Sequence, residues 1–421
     1  MKKMKKLSLT LILTLAIAIG FQNLNAQQLQ NYVVKDQNAA TVFGPVKDNV
    51  QFNGVSVRIG GAFALQWQGL NHSNDLNNLI DLGSDYNLPT ANMTIDAQLA
   101  DGLRVKLDLY LASNHHHETW VKGGYLQVDK LDFISEGYLE NLMKYSTIKV
   151  GQMENNYGDA HFRRTDNASA ITNPFIGNYL MDSFVTEIGA EFYYNRNNFI
   201  FMGGFANGKL NQGVVDAEAT SSAIIGKIGY DKQMNDDLRV RLTGSIYHSS
   251  KLKSVYLYSG DRAGSRFYNV IQATGENASF RSGRVNPGFK NKLTAIMVNN
   301  FIKYKNLEIF TTYENATGGD KSGSTETRTW NQFATDIVYR FGAKQNFYAG
   351  TKYNTASGKL KNADAKKVTI NRMETGLGWF MTKNVLAKAV YVSQDHKGYA
   401  ATSNYAGANF KGIAFEAVIS F

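Results

Sequence analysis

Apolar and polar residues alternate with a period of two along most of this chain, and the alternation is clearest in residues 410–421. One register of this segment is apolar, and the other is small or polar apart from one valine. The apolar register is Ile413, Phe415, Ala417, Ile419 and Phe421, and the other is Gly412, Ala414, Glu416, Val418 and Ser420. Because successive side chains of a strand point to opposite faces, the pattern predicts a strand with two unlike faces.

The same alternation recurs sixteen times and predicts an all-β protein. Tight turns such as Asp101-Gly102, a favourable hairpin dipeptide, separate several of the segments. The predicted strands are 55–68, 91–99, 103–111, 120–129, 147–153, 185–194, 199–206, 223–230, 238–248, 292–304, 307–314, 330–341, 346–354, 369–380, 385–394 and 410–421.

The connections between these strands alternate between long and short. The long ones are 69–90, 112–119, 154–184, 207–222, 249–291, 315–329, 355–368 and 395–409, and the short ones are 100–102, 195–198, 231–237, 305–306, 342–345 and 381–384. Outer-membrane barrels have short periplasmic turns and long outer loops, so the sequence predicts a transmembrane antiparallel β-barrel of about 16 strands. The segment 130–146 breaks the alternation, and its apolar residues Phe133, Leu139, Leu142 and Met143 predict a small amphipathic helix.

Six strands that run toward the predicted periplasmic side end in aromatic residues. These endings are Tyr194, Tyr230, Tyr304, Phe341, Trp379-Phe380 and Phe421. Aromatic rings are favoured where hydrocarbon meets headgroups, so the endings predict a girdle at the membrane boundary. Ordinary strand composition, which is also rich in Tyr and Phe, is the alternative.

The first 26 residues have the features of a cleaved signal peptide. Four lysines at positions 2, 3, 5 and 6 precede an apolar core at 7–20, and Ala26 is a small residue at the expected cleavage site. Export predicts a short N-terminal lead at 27–50 and a barrel pore domain at 51–421. The lead is too short for a folded plug, so we expect a sixteen-strand barrel to keep an aqueous channel.

Composition narrows the function classes. Without the leader, 41 of the 45 Lys and Arg residues remain against 35 acidic residues, and this small excess does not indicate nucleic-acid binding. The chain has no cysteine, which excludes disulfides and thiolate metal sites. The adjacent residues His115, His116, His117 and Glu118 cannot all converge on one ion, so no metal site and no cofactor are expected.

The polar registers supply the candidate pore lining. Its basic residues are Arg58, Arg104, Lys106, Lys149, Lys227, Arg239, Arg241, Arg340, Lys352, Arg372 and Lys388. Its acidic residues are Asp96, Asp108, Glu187, Glu191, Glu308, Asp336, Glu374 and Glu416. Charge rings set ion preference in pores, so the basic excess favours anions. A hydrated wall of cross-strand ion pairs without selectivity is the alternative.

Two long loops could narrow or charge the pore. Loop 154–184 is unusually apolar for a solvated loop, and we expect it to pack on the inner wall as a constriction. Its charged residues Asp159, His161, Arg163, Arg164 and Asp166 would then face each other at the narrowest point. Loop 249–291 carries a basic excess, which could steer anions inward or contact anionic lipopolysaccharide.

The segment Thr147-Ile148-Lys149-Val150-Gly151-Gln152-Met153, followed by the long loop, resembles the strand that enters the constriction loop in phosphate-selective porins of the O and P family. The resemblance is strongest over 120–195. It implies a trimeric sixteen-strand anion channel, although loop 154–184 has two arginines where the family has a lysine-rich constriction. An Asn- and Lys-rich composition suggests a Bacteroidetes-type source.

We therefore expect an outer-membrane porin for passive diffusion of small solutes or ions, including phosphate-like anions. Its expected partners are outer-membrane lipid and lipopolysaccharide, small anions or solutes, and two further copies in a homotrimer. Two alternatives stay open. One is a surface adhesion or assembly barrel without transport. The other is an outer-membrane hydrolase, for which His248 and His396 near the outer rim would need a nucleophile and a carboxylate.

Overall fold

A computed structural model describes residues 28–112, 119–165, 169–209, 220–259, 266–279, 281–322, 324–361 and 366–421. The predicted signal peptide at 1–26, the cluster His115–Glu118 and Asp166 lie outside these residues. The described chain forms one closed barrel in which every strand pairs antiparallel with its neighbours in sequence, and β1 pairs with β16. The all-β fold class and the sixteen strands predicted from the alternation are confirmed.

The strands differ in length around the barrel. They are β1 (Ser56–Ser73), β2 (Asp85–Ala100), β3 (Leu103–Tyr110), β4 (Trp120–Val128), β5 (Ser146–Glu154), β6 (Thr186–Arg196), β7 (Phe199–Ala206), β8 (Ala223–Gln233), β9 (Leu238–Leu252), β10 (Lys290–Tyr304), β11 (Leu307–Gly319), β12 (Thr327–Phe341), β13 (Phe347–Lys359), β14 (Lys367–Thr382), β15 (Val385–Lys397) and β16 (Asn409–Ser420). Several extend beyond the predicted bounds at the long-loop rim. Residues 85–90 of β2, for example, still pair with β1, because backbone pairing continues where the side chains have become polar.

Alternation along each strand separates the two faces of the wall. In β12 every second residue is buried, and the residues between them are exposed or half-buried. The outward positions of β16 from Ile413 to Ile419 are apolar, and only Lys411 near the long-loop rim is charged, whereas Glu416 points inward and is buried. The barrel therefore turns its apolar face outward and its polar face toward the lumen, as the sequence predicts.

The seam between β1 and β16 closes the barrel. Phe421 exchanges backbone hydrogen bonds with Gly61, at 2.9 Å and 3.1 Å. A Cβ atom on Gly60 would lie 2.8 Å from the Phe421 carbonyl oxygen, and one on Gly61 would lie 2.9 Å from the Phe421 ring. Glycine is therefore required at both positions for the carboxyl-terminal residue to dock.

Aromatic side chains lie along the outer face at the short-turn rim. Phe347 stacks between Phe341 and Trp379, with ring centroids 5.7 Å and 5.9 Å apart. Phe380 is an exception to the predicted girdle, because it points inward and packs against Tyr348. The register alternates, so two consecutive residues cannot both face outward.

The connection 130–146 contains the short helix α1 (Glu140–Met143). Its Met143 is buried, but Phe133, Leu139 and Leu142 are exposed. The predicted helix is thus present over only four residues, and most of the apolar residues that suggested it do not pack inward. Among the described residues, no helix is long and apolar enough to cross a membrane.

Candidate pore

Loop 154–184 lies inside the barrel. Its apolar residues Phe175, Ile176 and Leu180 are fully buried, and they pack on the inner wall as the sequence predicts. The wall holds the loop through its backbone: Asn354 accepts from the Leu180 N–H at 2.6 Å, and Lys388 donates to the Ala170 carbonyl at 2.8 Å. The lumen is therefore partly filled by this loop.

Asp159 connects the loop to the wall strands β8 and β9. Its carboxylate accepts from Lys227 at 2.9 Å, from Arg241 at 2.8 Å and from Thr243 at 2.8 Å. Burial alone would raise the pKa of Asp159, but the two cations hold it well below its usual range. Asp159 is thus a permanently charged anchor rather than a group that faces the lumen.

Most of the other inward charges of β8–β16 form buried ion pairs. Arg340 pairs with Glu308 at 2.7 Å, Lys352 with Glu374 at 2.8 Å and Lys388 with Glu416 at 2.7 Å. Arg372 instead donates to Gln394 and to the carbonyls of Asn178 and Gly283. These residues were predicted to line the pore, but the structure places them behind the loop, where their charges are compensated. We call this set the paired wall.

The charged residues within the loop also have partners. Arg164 makes two hydrogen bonds to Asp182, both 2.7 Å long, and His161 contacts Glu154 at 3.0 Å. The Arg163 guanidinium lies 5.2 Å from the Phe310 ring centroid. It also lies 3.9 Å from Glu308. Arg164 thus faces an opposite charge within the loop and Arg163 faces one on the wall, and their place at the narrowest point stays a prediction.

The connection between β9 and β10 also folds inward, over loop 154–184. Arg266 is fully buried and donates to the Thr165 carbonyl at 2.7 Å. Val285 donates its N–H to the Leu180 carbonyl at 2.9 Å. The sequence predicted a basic rim at the outer mouth, but Arg266 is unavailable there because it stabilises the packing of two loops.

The N-terminal segment, residues 28–50, crosses the lumen at the short-turn rim. Gln30 donates to Asp101 in the turn between β2 and β3, and Gln37 donates to carbonyls in the turn between β12 and β13. Lys47 returns to the other side and pairs with Asp129 at 2.7 Å. The segment thus spans this mouth without forming a folded plug, and space remains beside it on both sides.

Part of the remaining space lies along β2–β6. Two cavities, of about 160 Å³ and 140 Å³, adjoin there and share seven lining residues. The shared residues are Lys35, Gly44, Pro45, Lys106, Tyr125, Lys149 and Phe162. We call these two cavities together the lysine passage and the shared residues its waist. The waist is bounded by the wall, by loop 154–184 and by the N-terminal segment.

The waist carries an excess of positive charge. Lys106 pairs with Asp108 at 3.0 Å, but Lys149 lies over the rings of Tyr125 and Tyr193 and has no ion pair among the described residues. Lys35 makes one long contact, 3.5 Å, with the Ser169 hydroxyl. Burial, helped by the charge of Lys106, lowers the pKa of Lys35.

The remaining predicted lining residues flank the passage or the segment. Arg58 and Arg104 both lie 5.3 Å from the Tyr32 ring centroid, and Arg104 also pairs with Asp96 at 2.6 Å. Arg239 pairs with Asp231 and donates to the Thr41 carbonyl at 2.9 Å. Each of these cations therefore borders the N-terminal segment.

Sequence reasoning missed two lysines of the passage. Lys122 is displaced inward by an irregularity where β3 meets β4, so the simple alternation did not assign it to the lumen. Lys35 belongs to no strand, and no periodic signal marks it. Among the described residues, neither His248 nor His396 is hydrogen-bonded to both a nucleophile and a carboxylate: His248 contacts Thr294, and His396 contacts Gln394 and Ala408.

Comparisons with known proteins support the fold at low sequence identity. No family model and no curated protein matches the chain. Among solved structures, the trimer form of the outer-membrane protein OmpT of Vibrio cholerae matches with a TM-score of 0.54 at 13% identity over 88% of this chain and 100% of that one. An anion-selective porin from Comamonas acidovorans matches with a TM-score of 0.53 at 12% identity over 87% of this chain and 100% of that one. The outer-membrane channel DcaP of Acinetobacter baumannii matches with a TM-score of 0.50 at 11% identity over 87% of this chain and 98% of that one. The chain therefore has the barrel fold of outer-membrane porins.

Proposed function

We propose that this protein is an outer-membrane porin that passes small solutes through the lysine passage and prefers anions. The apolar outer face and the aromatic rim suit a lipid bilayer, and the short turns would then face the periplasm. The solved structures with this fold include porins, and one of them is described as anion-selective. Export by the predicted signal peptide is part of the same proposal.

The observation that carries the anion preference is the contrast between Lys149 and the other inward cations. The cations of the paired wall lie against carboxylates or in buried hydrogen bonds, so a passing ion would meet little net charge there. Lys149 has only aromatic faces beside it, and Lys35 lies opposite without a carboxylate among the described residues at ion-pair distance. Fixed positive charge in a narrow aqueous passage attracts anions and repels cations.

Membership of the phosphate-selective O and P family is the finer part of the proposal. The motif that carries the resemblance forms β5, and Lys149 within it faces the waist. Gly151 has φ +143°, and a Cβ atom there would lie 2.4 Å from the Gly124 carbonyl oxygen. The glycine of the motif therefore has a physical role, since a side chain at this position within β5 would collide with β4.

Assembly as a homotrimer is also proposed. The strands β3, β4 and β5, like β7, have only eight or nine residues, whereas every strand from β9 to β15 has thirteen or more. At a tilt of about 45° such short strands barely span the apolar band, which favours covering them with protein. Cross-linking in detergent, followed by mass measurement, should give three chains per particle, and a single chain would reject this part.

Reconstitution of the mature protein in a planar bilayer tests the function. We expect ohmic conductance, and under a salt gradient we expect a reversal potential on the anion side. The variant Lys149→Gln should reduce the anion preference, whereas Lys411→Gln on the exposed outer face of β16 should not. Absence of conductance would reject the porin function. A reversal potential that indicates a preference for cations would reject the anion preference alone.

A further inference from the structure

We infer that the N-terminal segment, residues 28–50, is a selectivity element of the pore, in which Lys35 supplies a cation that the barrel wall lacks. The inference rests on the proposed function, because it concerns how a conducting, anion-preferring pore obtains its preference. It assigns a transport role to residues that precede the first strand and that carry no strand pattern. Four features of the segment support it.

The segment is anchored at three separated points of the rim. Near its start, Gln30 accepts a hydrogen bond from the Gly102 N–H at 3.0 Å. Halfway along, the Gln37 N–H donates to the Lys383 carbonyl at 2.9 Å, in the turn between β14 and β15. Near its end, Lys47 pairs with Asp129 beyond β4. These anchors hold the chain across the mouth, so it is a bridge and not a loose tail.

An aromatic cluster fixes the segment within the lumen. The ring of Phe43 lies 5.1 Å from that of Phe301 and 5.8 Å from that of Phe310, centroid to centroid, and it is buried. Phe162 of the long loop contacts the same ring edge to face at 6.0 Å. Such aromatic pairs stabilise by about 0.5–1.5 kcal/mol each beyond the area that they bury. The segment and the long loop therefore pack on each other as one lumenal unit.

Lys35 lies at the point where the two cavities of the lysine passage adjoin. It borders both of them, and so do Lys106 and Lys149 on the wall. The wall thus provides two cations on one side of the waist, and the segment provides the third from the opposite side. Its contact with Ser169 also links the segment to loop 154–184.

The segment also divides the short-turn mouth into two openings. On the side of β6–β9 a cavity of about 400 Å³ lies between the segment and the wall, bordered by Asn156 of the long loop and by Lys227. Lys227 donates to Asn156 and to the Gly158 carbonyl of the long loop. This cavity shares Gly44, Pro45, Asn156 and Tyr193 with the 140 Å³ cavity of the lysine passage, so the segment borders the space beside both openings.

A single-cysteine experiment tests the inference, because the chain has no cysteine of its own. In the full-length mature protein, Lys35→Cys removes the charge and introduces the only thiol. We expect the anion-to-cation permeability ratio in a planar bilayer to fall roughly threefold, the effect of one unit charge acting through water at about 7 Å. A positively charged aminoethyl thiosulfonate reagent should restore the ratio, and a negatively charged sulfonatoethyl reagent should lower it further.

Two controls keep the result interpretable. Lys344→Cys places the same thiol on an exposed lysine at the same rim, in the turn between β12 and β13, and neither reagent should change its ratio. Lys35→Arg keeps the charge and should behave as the wild type. A Lys35→Cys protein that folds, conducts and keeps the wild-type ratio before and after labelling would overturn the inference while leaving the porin intact. A wild type that does not conduct would instead overturn the proposed function.

Discussion

The two sides of this barrel use inward-facing charge in different ways. On β8–β16, lysines and arginines lie against carboxylates and hold loop 154–184 in place, as Lys388 does with Glu416 at 2.7 Å. On β2–β6, Lys149 lies over aromatic rings beside open space, and Lys35 faces it across the waist. Inward lysines and arginines therefore hold the loop on one side of the lumen. On the other side, in the proposed pore, lysines give the passage its positive charge.

The net charge of the residues that line the lumen is therefore a poor guide to ion selectivity. A paired cation in a buried site contributes to the position of the loop, whereas its field at the passage is compensated by its partner. An unpaired cation beside water contributes to the field that a permeating ion meets. Four predictions test this distinction between paired and unpaired cations.

The largest effect is expected at Asp159. Replacing Asp159 with Ala leaves Lys227 buried without its carboxylate partner and leaves Arg241 with Asp231 alone, and breaking a buried pair in this way costs about 3–5 kcal/mol. We expect thermal unfolding of the refolded protein at a lower temperature and a larger, noisier single-channel conductance, because the loop loses an anchor. The low pKa of Asp159 means that wild-type protein should keep this anchor until the pH falls below the ordinary range for aspartate. A variant with unchanged stability and conductance would show that Asp159 is not an anchor.

A matched pair of substitutions compares the two sides directly. Lys388→Gln on the paired wall should lower thermal stability and leave the reversal potential unchanged, because it leaves Glu416 without its pairing lysine. Lys149→Gln should leave thermal stability unchanged and should lower the anion-to-cation permeability ratio roughly threefold, the effect of one unit charge acting through water. The assays are circular dichroism with heating and the zero-current potential under a salt gradient. If both variants shifted the potential equally, the distinction between the sides would be lost.

The pH dependence gives a finer test of the waist. The pKa of Lys35 lies below that of an ordinary lysine, so Lys35 loses its charge at a lower pH than an ordinary lysine does. We expect the anion preference of the wild type to begin to fall at a pH below the usual lysine range. Lys35→Arg, which stays charged, should keep its preference through that range. Parallel curves for the two proteins would mean that another group is responsible.

The smallest effect is expected for the double variant Arg163→Ala, Arg164→Ala. From the sequence, these arginines were expected to set selectivity at the constriction. In the structure Arg164 pairs with Asp182, and Arg163 packs between Glu308 and aromatic rings. We therefore expect lower stability and almost no change in the reversal potential. A clear shift of that potential would place the passage beside these arginines and not along β2–β6.

The sequence predicted the barrel well because every strand repeats one local rule. Alternation assigned Lys149 and Arg241 to the inner face, and both lie there. The rule says nothing about which inner residues remain in contact with water. That is decided by the docking of loop 154–184 and of the segment 28–50, whose contacts are far apart in sequence and follow no period.

Each residue or strand end that the sequence pattern assigned wrongly has its own physical cause. The strands extend beyond their predicted ends because pairing of the backbone continues past the apolar band, as in residues 85–90. Phe380 was assigned to the girdle with Trp379, although adjacent strand residues face opposite sides. Lys122 was missed because a local irregularity shifts the register of β4. Such a shift is set by the partner strand and leaves no trace in the alternation.

The seam at Gly61 and Phe421 has a consequence for the order of events during assembly. Gly61 and Phe421, which pair across this seam, are 360 residues apart, so their pairing is the most remote contact of the ring and is expected to form late. Gly61 and Phe421 also line the 160 Å³ cavity of the lysine passage. Joining of the first and last strands is therefore expected to complete the wall of that cavity together with the ring.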